Sequence, residues 1–262
     1  MSGAVGCAAL AGLRAAGATG PDAPAAPAAL VPTGCVVKLC GMSREADIDA
    51  VAAARPDLVG FIVDFPRSHR SVSAARLAEL VSYLRKRDPE RAIGAVGVFV
   101  DEPPERVAAV ARAAGLDAAQ LHGHEDAAYL ERLRPLLSAG VALIQAFRVC
   151  SAADVARARA SAADLILLDN GQGTGEAFDW SLIHGIGRSF LLAGGLAPGN
   201  VAGAIRAVRP WGVDMSSGIE TDRVKDPVKI AAAVRAVREA VPLPAAIPSA
   251  AATTPSAPAP VP

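Results

Sequence analysis

Six short segments collect side chains able to move protons or grip anions, and each closes an apolar run. Lys38-Leu39-Cys40-Gly41 ends the first. A thiol there serves as nucleophile or general base when nearby dipoles or cations lower its pKa; the plain alternative is a buried structural cysteine. The run Phe61-Ile62-Val63 leads into Asp64-Phe65-Pro66-Arg67-Ser68-His69-Arg70-Ser71, which is either a solvated loop or an arginine clamp for a carboxylate or phosphate. Gln120-Leu121-His122-Gly123-His124-Glu125 offers a histidine at a strand end. A metal site on His122, His124 and Glu125 lacks a third ligand at a fitting position. Leu165-Ile166-Leu167-Leu168-Asp169 closes four large aliphatics with a carboxyl. Such a group is costly to bury unless used or paired, and partial desolvation would raise its pKa toward a general acid's. Otherwise Asp169 caps the loop that follows it. Finally, Ala193-Gly194-Gly195-Leu196 and Asp214-Met215-Ser216-Ser217-Gly218-Ile219-Glu220 are loops of small residues. Glycine lets the backbone approach a ligand closely and present its N–H groups, and two such loops in succession point to a bound phosphate.

These segments need a frame that brings their ends together. Eight Val/Ile/Leu-rich runs predict strands at 35–40, 58–63, 93–100, 118–122, 142–148, 165–169, 190–193 and 212–216. Amphipathic stretches follow each one, at about 44–54, 74–87, 104–114, 126–137, 152–160, 179–186, 200–208 and 227–237. Ser73 and Ser151 sit at N-cap positions, and Glu102-Pro103-Pro104 fits a proline-initiated first turn. Continuous apolar strands are those buried on both faces. Eight strand–helix pairs predict an α/β fold, a closed (β/α)₈ TIM barrel, whose working surface is the mouth at the carboxyl ends of the strands. All six segments fall there.

The barrel is expected over residues 34–241. Residues 1–33 and 242–262 are rich in Ala, Gly and Pro or in Ala, Pro, Ser and Thr, and lack a repeating apolar face, so both read as flexible tails. A short Ala-rich helix around Ala8–Ala16 is the exception within them. Lys+Arg and Asp+Glu each number 26, so no charge excess points to nucleic acid or an anionic membrane. Cys7, Cys35, Cys40 and Cys150 show neither disulfide nor zinc spacing. No apolar run reaches membrane-spanning length, and Arg14 interrupts the amino-terminal stretch where a signal peptide would need an unbroken core. A reduced, cytoplasmic protein is expected, as monomer or homodimer.

Taken together, the segments resemble those of the phosphoribosylanthranilate isomerase family. The resemblance rests on Lys38–Gly41, Phe65–Arg70, Gly97–Val100, Gln120–Gly123, Leu167–Trp180, Ala193–Leu196 with Asn200-Val201, and Gly212–Glu220 followed by Lys225-Asp226, in the family's order over about residues 36–240. It implies a cofactor-free Amadori rearrangement in tryptophan biosynthesis. Asp169 would be the general acid and Cys40 the general base. Arg70, His122 and Asp214 would bind substrate, and Gly194, Gly195, Ser217 and Gly218 its phosphate, with no metal. Strands one and six would face each other across the mouth, with the substrate between them. The chain departs from the family in reading Ser68-His69-Arg70, where a proline often stands before the arginine, and in a shorter glycine loop at 171–175.

Two other barrel types fit less well. An indole-glycerol-phosphate synthase would need lysines and a glutamate at several strand ends, whereas Lys38 lies two residues before the end of its strand. A histidine-pathway isomerase would show a duplicated half-barrel and an aspartate in place of Cys40. A non-catalytic sugar-phosphate sensor would need the phosphate loops but not an acid–base pair.

Overall fold

The structure is a computed structural model and describes Leu10, residues 34–169 and residues 180–240. Eight strands close its barrel: β1 (Val36–Cys40), β2 (Leu58–Val63), β3 (Gly94–Phe99), β4 (Ala118–Leu121), β5 (Ala142–Arg148), β6 (Leu165–Asp169), β7 (Phe190–Leu192) and β8 (Gly212–Met215). All pair in parallel, in the ring order β1-β8-β7-β6-β5-β4-β3-β2, and β2 closes back onto β1. The helices α1 (Glu45–Ala54), α2 (Ala74–Arg87), α3 (Pro104–Ala114), α4 (Ala127–Leu133), α5 (Ala152–Ala160), α6 (Val201–Val208) and α7 (Pro227–Ala240) cover the outside. This is the closed (β/α)₈ barrel.

The period of two along each strand divides its side chains between two cores. Val37, Leu39, Val59, Phe61, Ile166 and Leu168 face outward and pack with the helices. Val36, Leu58, Val96, Ile144, Leu165, Leu167 and Leu191 fill the interior. The same parity turns Lys38, Cys40, Gln120, Asp169 and Asp214 inward, so strand register alone carries the chemistry-bearing residues into the barrel.

The floor repeats one device three times. Asp57, Asp117 and Asp164 stand one residue before β2, β4 and β6, and each carboxylate accepts the backbone N–H of the preceding strand, from Val37, Ala95 and Leu143, at 2.7 Å. An arginine holds each in turn: Arg238 for Asp57, Arg85 for Asp117 and Arg134 for Asp164. Leu10 also belongs here. It is helical, 2% exposed, and packs among Val36, Leu58 and Val96 in the interior core. The other residues of the expected Ala8–Ala16 helix lie outside the described residues, as do the rest of 1–33 and all of 242–262.

The caps form as the sequence predicts, with Ser73 accepting from Arg76 N–H and Ser151 from Asp154 N–H. Three local differences have physical causes. The helix expected at 126–137 ends at Leu133 and continues as a 3₁₀ turn, Arg134–Leu136, because Pro135 lacks the N–H and clashes with the preceding turn. In place of a helix at 179–186 there is a 3₁₀ turn, Trp180–Ile183, ended by Gly185 and Gly187 in left-handed conformations. The sequence reading also has no counterpart for the hairpin pairing Glu220–Thr221 with Val224–Lys225, turned by Asp222 and Arg223 at φ 50 and 64°.

Candidate active site

The mouth holds a cavity of about 420 Å³ lined by Cys40, Arg70, His122, Asp169, Gly194, Gly195, Asp214 and Ser217, among others. Eight of the nine site residues expected from the sequence therefore share one space. Gly218 is the exception. A Cβ there would stand 2.0 Å from the Leu196 carbonyl oxygen, so its bare backbone lets the loops after β7 and β8 close against each other. Gly194 and Gly195 take φ of 93 and 65°, which glycine adopts without strain. A second hollow of about 530 Å³ shares Phe65, His122 and Asp169 and is walled by Arg67 and Arg148.

β6 stands three places from β1 around the ring, one short of directly opposite, yet Cys40 and Asp169 both reach the cavity. Asp169 lies 3.8 Å from His122 Nε2. The other ring nitrogen, Nδ1, is 3.0 Å from the Gln120 amide nitrogen. With Gln120 donating to Nδ1, Nε2 carries the proton and points it at Asp169. Burial pushes His122 below its ordinary pKa against the pull of Asp169, which keeps the ring neutral. His124 turns away from the cavity, 95% exposed on its side chain and paired with Asp101. Glu125 accepts the N–H groups of Asp101 and Gly123. The three do not converge, and among the described residues no group of three His, Cys, Asp or Glu side chains is placed to hold a metal.

Cys40 is buried beside Lys38 and Asp214, which form an ion pair at 2.7 Å. Burial pushes the thiol up, Lys38 and Lys225 pull it down, and the net result lies above its ordinary value. Gly60 makes room for the group: a Cβ there would stand 2.7 Å from Cys40 Sγ and 3.1 Å from Lys38 Nζ. Asp214 gives one oxygen to Lys38, and its other, Oδ1, is buried without a partner among the described residues, as is Gln120 Oε1.

Arg70 meets Glu220 in a two-pronged pair, Nε and Nη2 to the two carboxylate oxygens at 2.6 and 2.7 Å. Lys225 approaches the same carboxylate at 2.7 Å, and His69 lies 3.7 Å from it. Burial pushes Glu220 up, but hydrogen bonds from Arg70 and Lys225 outweigh this and bring its pKa down to about 2. The sequence reading did not single out Gln120, Glu220 or Lys225 and used Lys38 only to argue against a rival. A signal for Lys38 was present: it is charged, lies in an apolar strand and shares the parity of Cys40.

An inward-facing cysteine and aspartate at the carboxyl-end mouth, above loops of small residues, define a (β/α)₈ barrel with its site where barrel enzymes place theirs. Residues 37–236 match the family model described as N-(5'-phosphoribosyl)anthranilate (PRA) isomerase. The chain is 44% identical over 207 residues to the N-(5'-phosphoribosyl)anthranilate isomerase of Dechloromonas aromatica, covering 78% of this chain and 96% of that one. It is 40% identical over 220 residues to that of Rhodospirillum rubrum, covering 78% and 98%. Among solved structures, phosphoribosyl anthranilate isomerase from Thermotoga maritima superposes with a TM-score of 0.68 at 34% identity, covering 78% of this chain and 99% of that one. One such isomerase in complex with reduced 1-(o-carboxyphenylamino)-1-deoxyribulose 5-phosphate superposes at 0.67 with 33% identity, covering 78% and 99%. The chain belongs to the phosphoribosylanthranilate isomerase family.

Proposed function

We propose that this chain converts N-(5-phosphoribosyl)anthranilate to 1-(2-carboxyphenylamino)-1-deoxyribulose 5-phosphate, a step of tryptophan biosynthesis. The observation that carries this reading is that Cys40, Asp169 and Arg70 share one cavity with Gly194, Gly195 and Ser217. Asp169 protonates the furanose ring oxygen, and the ring opens to a Schiff base. Cys40 then removes the C2 proton, giving an enolamine that tautomerises to the product. The rearrangement shifts a proton between adjacent carbons, so one acid and one base suffice, and neither metal nor redox cofactor takes part.

Backbone N–H groups around Gly194, Gly195, Ser217 and Gly218 hold the phosphate. The unpartnered Oδ1 of Asp214 accepts a substrate hydroxyl. Arg70, with two of its nitrogens on Glu220, turns its remaining edge to the anthranilate carboxylate. Neutral His122 donates toward Asp169 and lines the substrate's path. Asp169→Asn and Cys40→Ser are expected to lose nearly all turnover while still binding a product analogue; near-normal rates in both would refute the assignment.

A further inference from the structure

The charges around Cys40 do not balance while it is a thiol. Three cations surround it: Lys38 from β1, Arg70 from the loop after β2, and Lys225 from the hairpin after β8. Among the described residues two carboxylates answer them, Asp214 on Lys38 and Glu220 on Arg70 and Lys225. Of the remaining titratable groups among the described residues, burial and the neighbouring arginines push His69 below its ordinary pKa, and His122 and Asp169 face each other elsewhere in the cavity. A negative charge on Cys40 evens the count among these immediate neighbours. Lys38 is the cation built for it: it is 0% exposed, its ammonium meets Asp214 at 2.7 Å, and it converges with Cys40 Sγ on the space left by Gly60.

We propose that Lys38, held by Asp214, is a positioning residue that stabilises the thiolate of Cys40, with Asp214 limiting that effect by sharing the ammonium. The proposal rests on the reading of Cys40 as the general base only for its catalytic meaning; the ionisation can be tested without turnover. Burial works against a thiolate, and an opposite charge at this range lowers a pKa by about one to three units. The ammonium therefore offsets part of the cost of burial.

The test is the pH dependence of Cys40 alkylation by iodoacetamide, read on its own peptide by mass spectrometry so that Cys7, Cys35 and Cys150 do not contribute. Lys38→Met is expected to move the midpoint up by about one pH unit or more. Asp214→Asn, a near-isosteric change, is expected to move it down, because Lys38 then faces the sulfur alone. Loosening of the fold would move both variants the same way, and that result, or an unmoved midpoint in Asp214→Asn, overturns the proposal. Turnover in Cys40→Ser bears only on the catalytic reading, so the two failures are distinguishable.

Discussion

Replacing Glu220 with Gln removes a carboxylate that is 6% exposed and gripped by Arg70 on both oxygens and by Lys225 at 2.7 Å. Its pKa of about 2, against the ordinary 4.5, measures how much the folded protein favours the charged form. That difference corresponds to about 3 kcal/mol. The folded pKa is depressed, so the stabilisation is fully present above the unfolded value and is lost as the pH falls toward the folded one. About 2 kcal/mol of it should remain at pH 3.5. Urea unfolding of the parent and Glu220→Gln at pH 7 and pH 3.5 measures both quantities. The variant should be less stable by about 3 kcal/mol at neutral pH, with the gap narrowing by about 1 kcal/mol at the lower pH. A gap below about 1 kcal/mol at pH 7, or one unchanged by pH, would refute the reasoning.

Arg70→Ala should raise KM by about 10- to 100-fold with kcat little changed, since a charge-assisted hydrogen bond acts on ground and transition states alike; steady-state kinetics would show a kcat-only loss if the role is wrong. Gly60→Ala places a methyl 2.7 Å from Cys40 Sγ and should reduce turnover far more than melting temperature, at a stability cost of about 1–3 kcal/mol. Leu10→Asp puts a charge into the interior core and should cost about 3 kcal/mol or more, lowering Tm by roughly 6 °C while leaving kcat unchanged; an unaltered melting curve would show that Leu10 adds nothing to the core.

Much of this was legible because it is local. Leu165–Asp169 reads as a buried strand with a carboxyl at its end, and period-two parity then decides that Asp169 points inward. Ser73 and Ser151 announce their helices because a cap is satisfied within a few residues. What the sequence hid is made by partners far apart in the chain. Lys38 and Asp214 are separated by 176 positions and Arg70 and Glu220 by 150, and only strand order and barrel closure join them. The repeated aspartate clamp was equally hidden, since Asp57, Asp117 and Asp164 look like ordinary loop carboxylates until each is seen against its neighbouring strand. Gly218 carries a related ambiguity. Glycine in a phosphate-type loop can serve a ligand or a close backbone approach, and here it is the Leu196 carbonyl that comes close. The glycine loop at 171–175 lies outside the described residues.

The central claim is that this barrel isomerises phosphoribosylanthranilate with Asp169 as its acid. The most direct measurement follows the fluorescence of phosphoribosylanthranilate as purified protein is added. A rapid loss of signal with the parent chain and almost none with folded Asp169→Asn is the predicted result. A folded parent chain that leaves the signal unchanged, or an Asp169→Asn variant as fast as the parent, would contradict it.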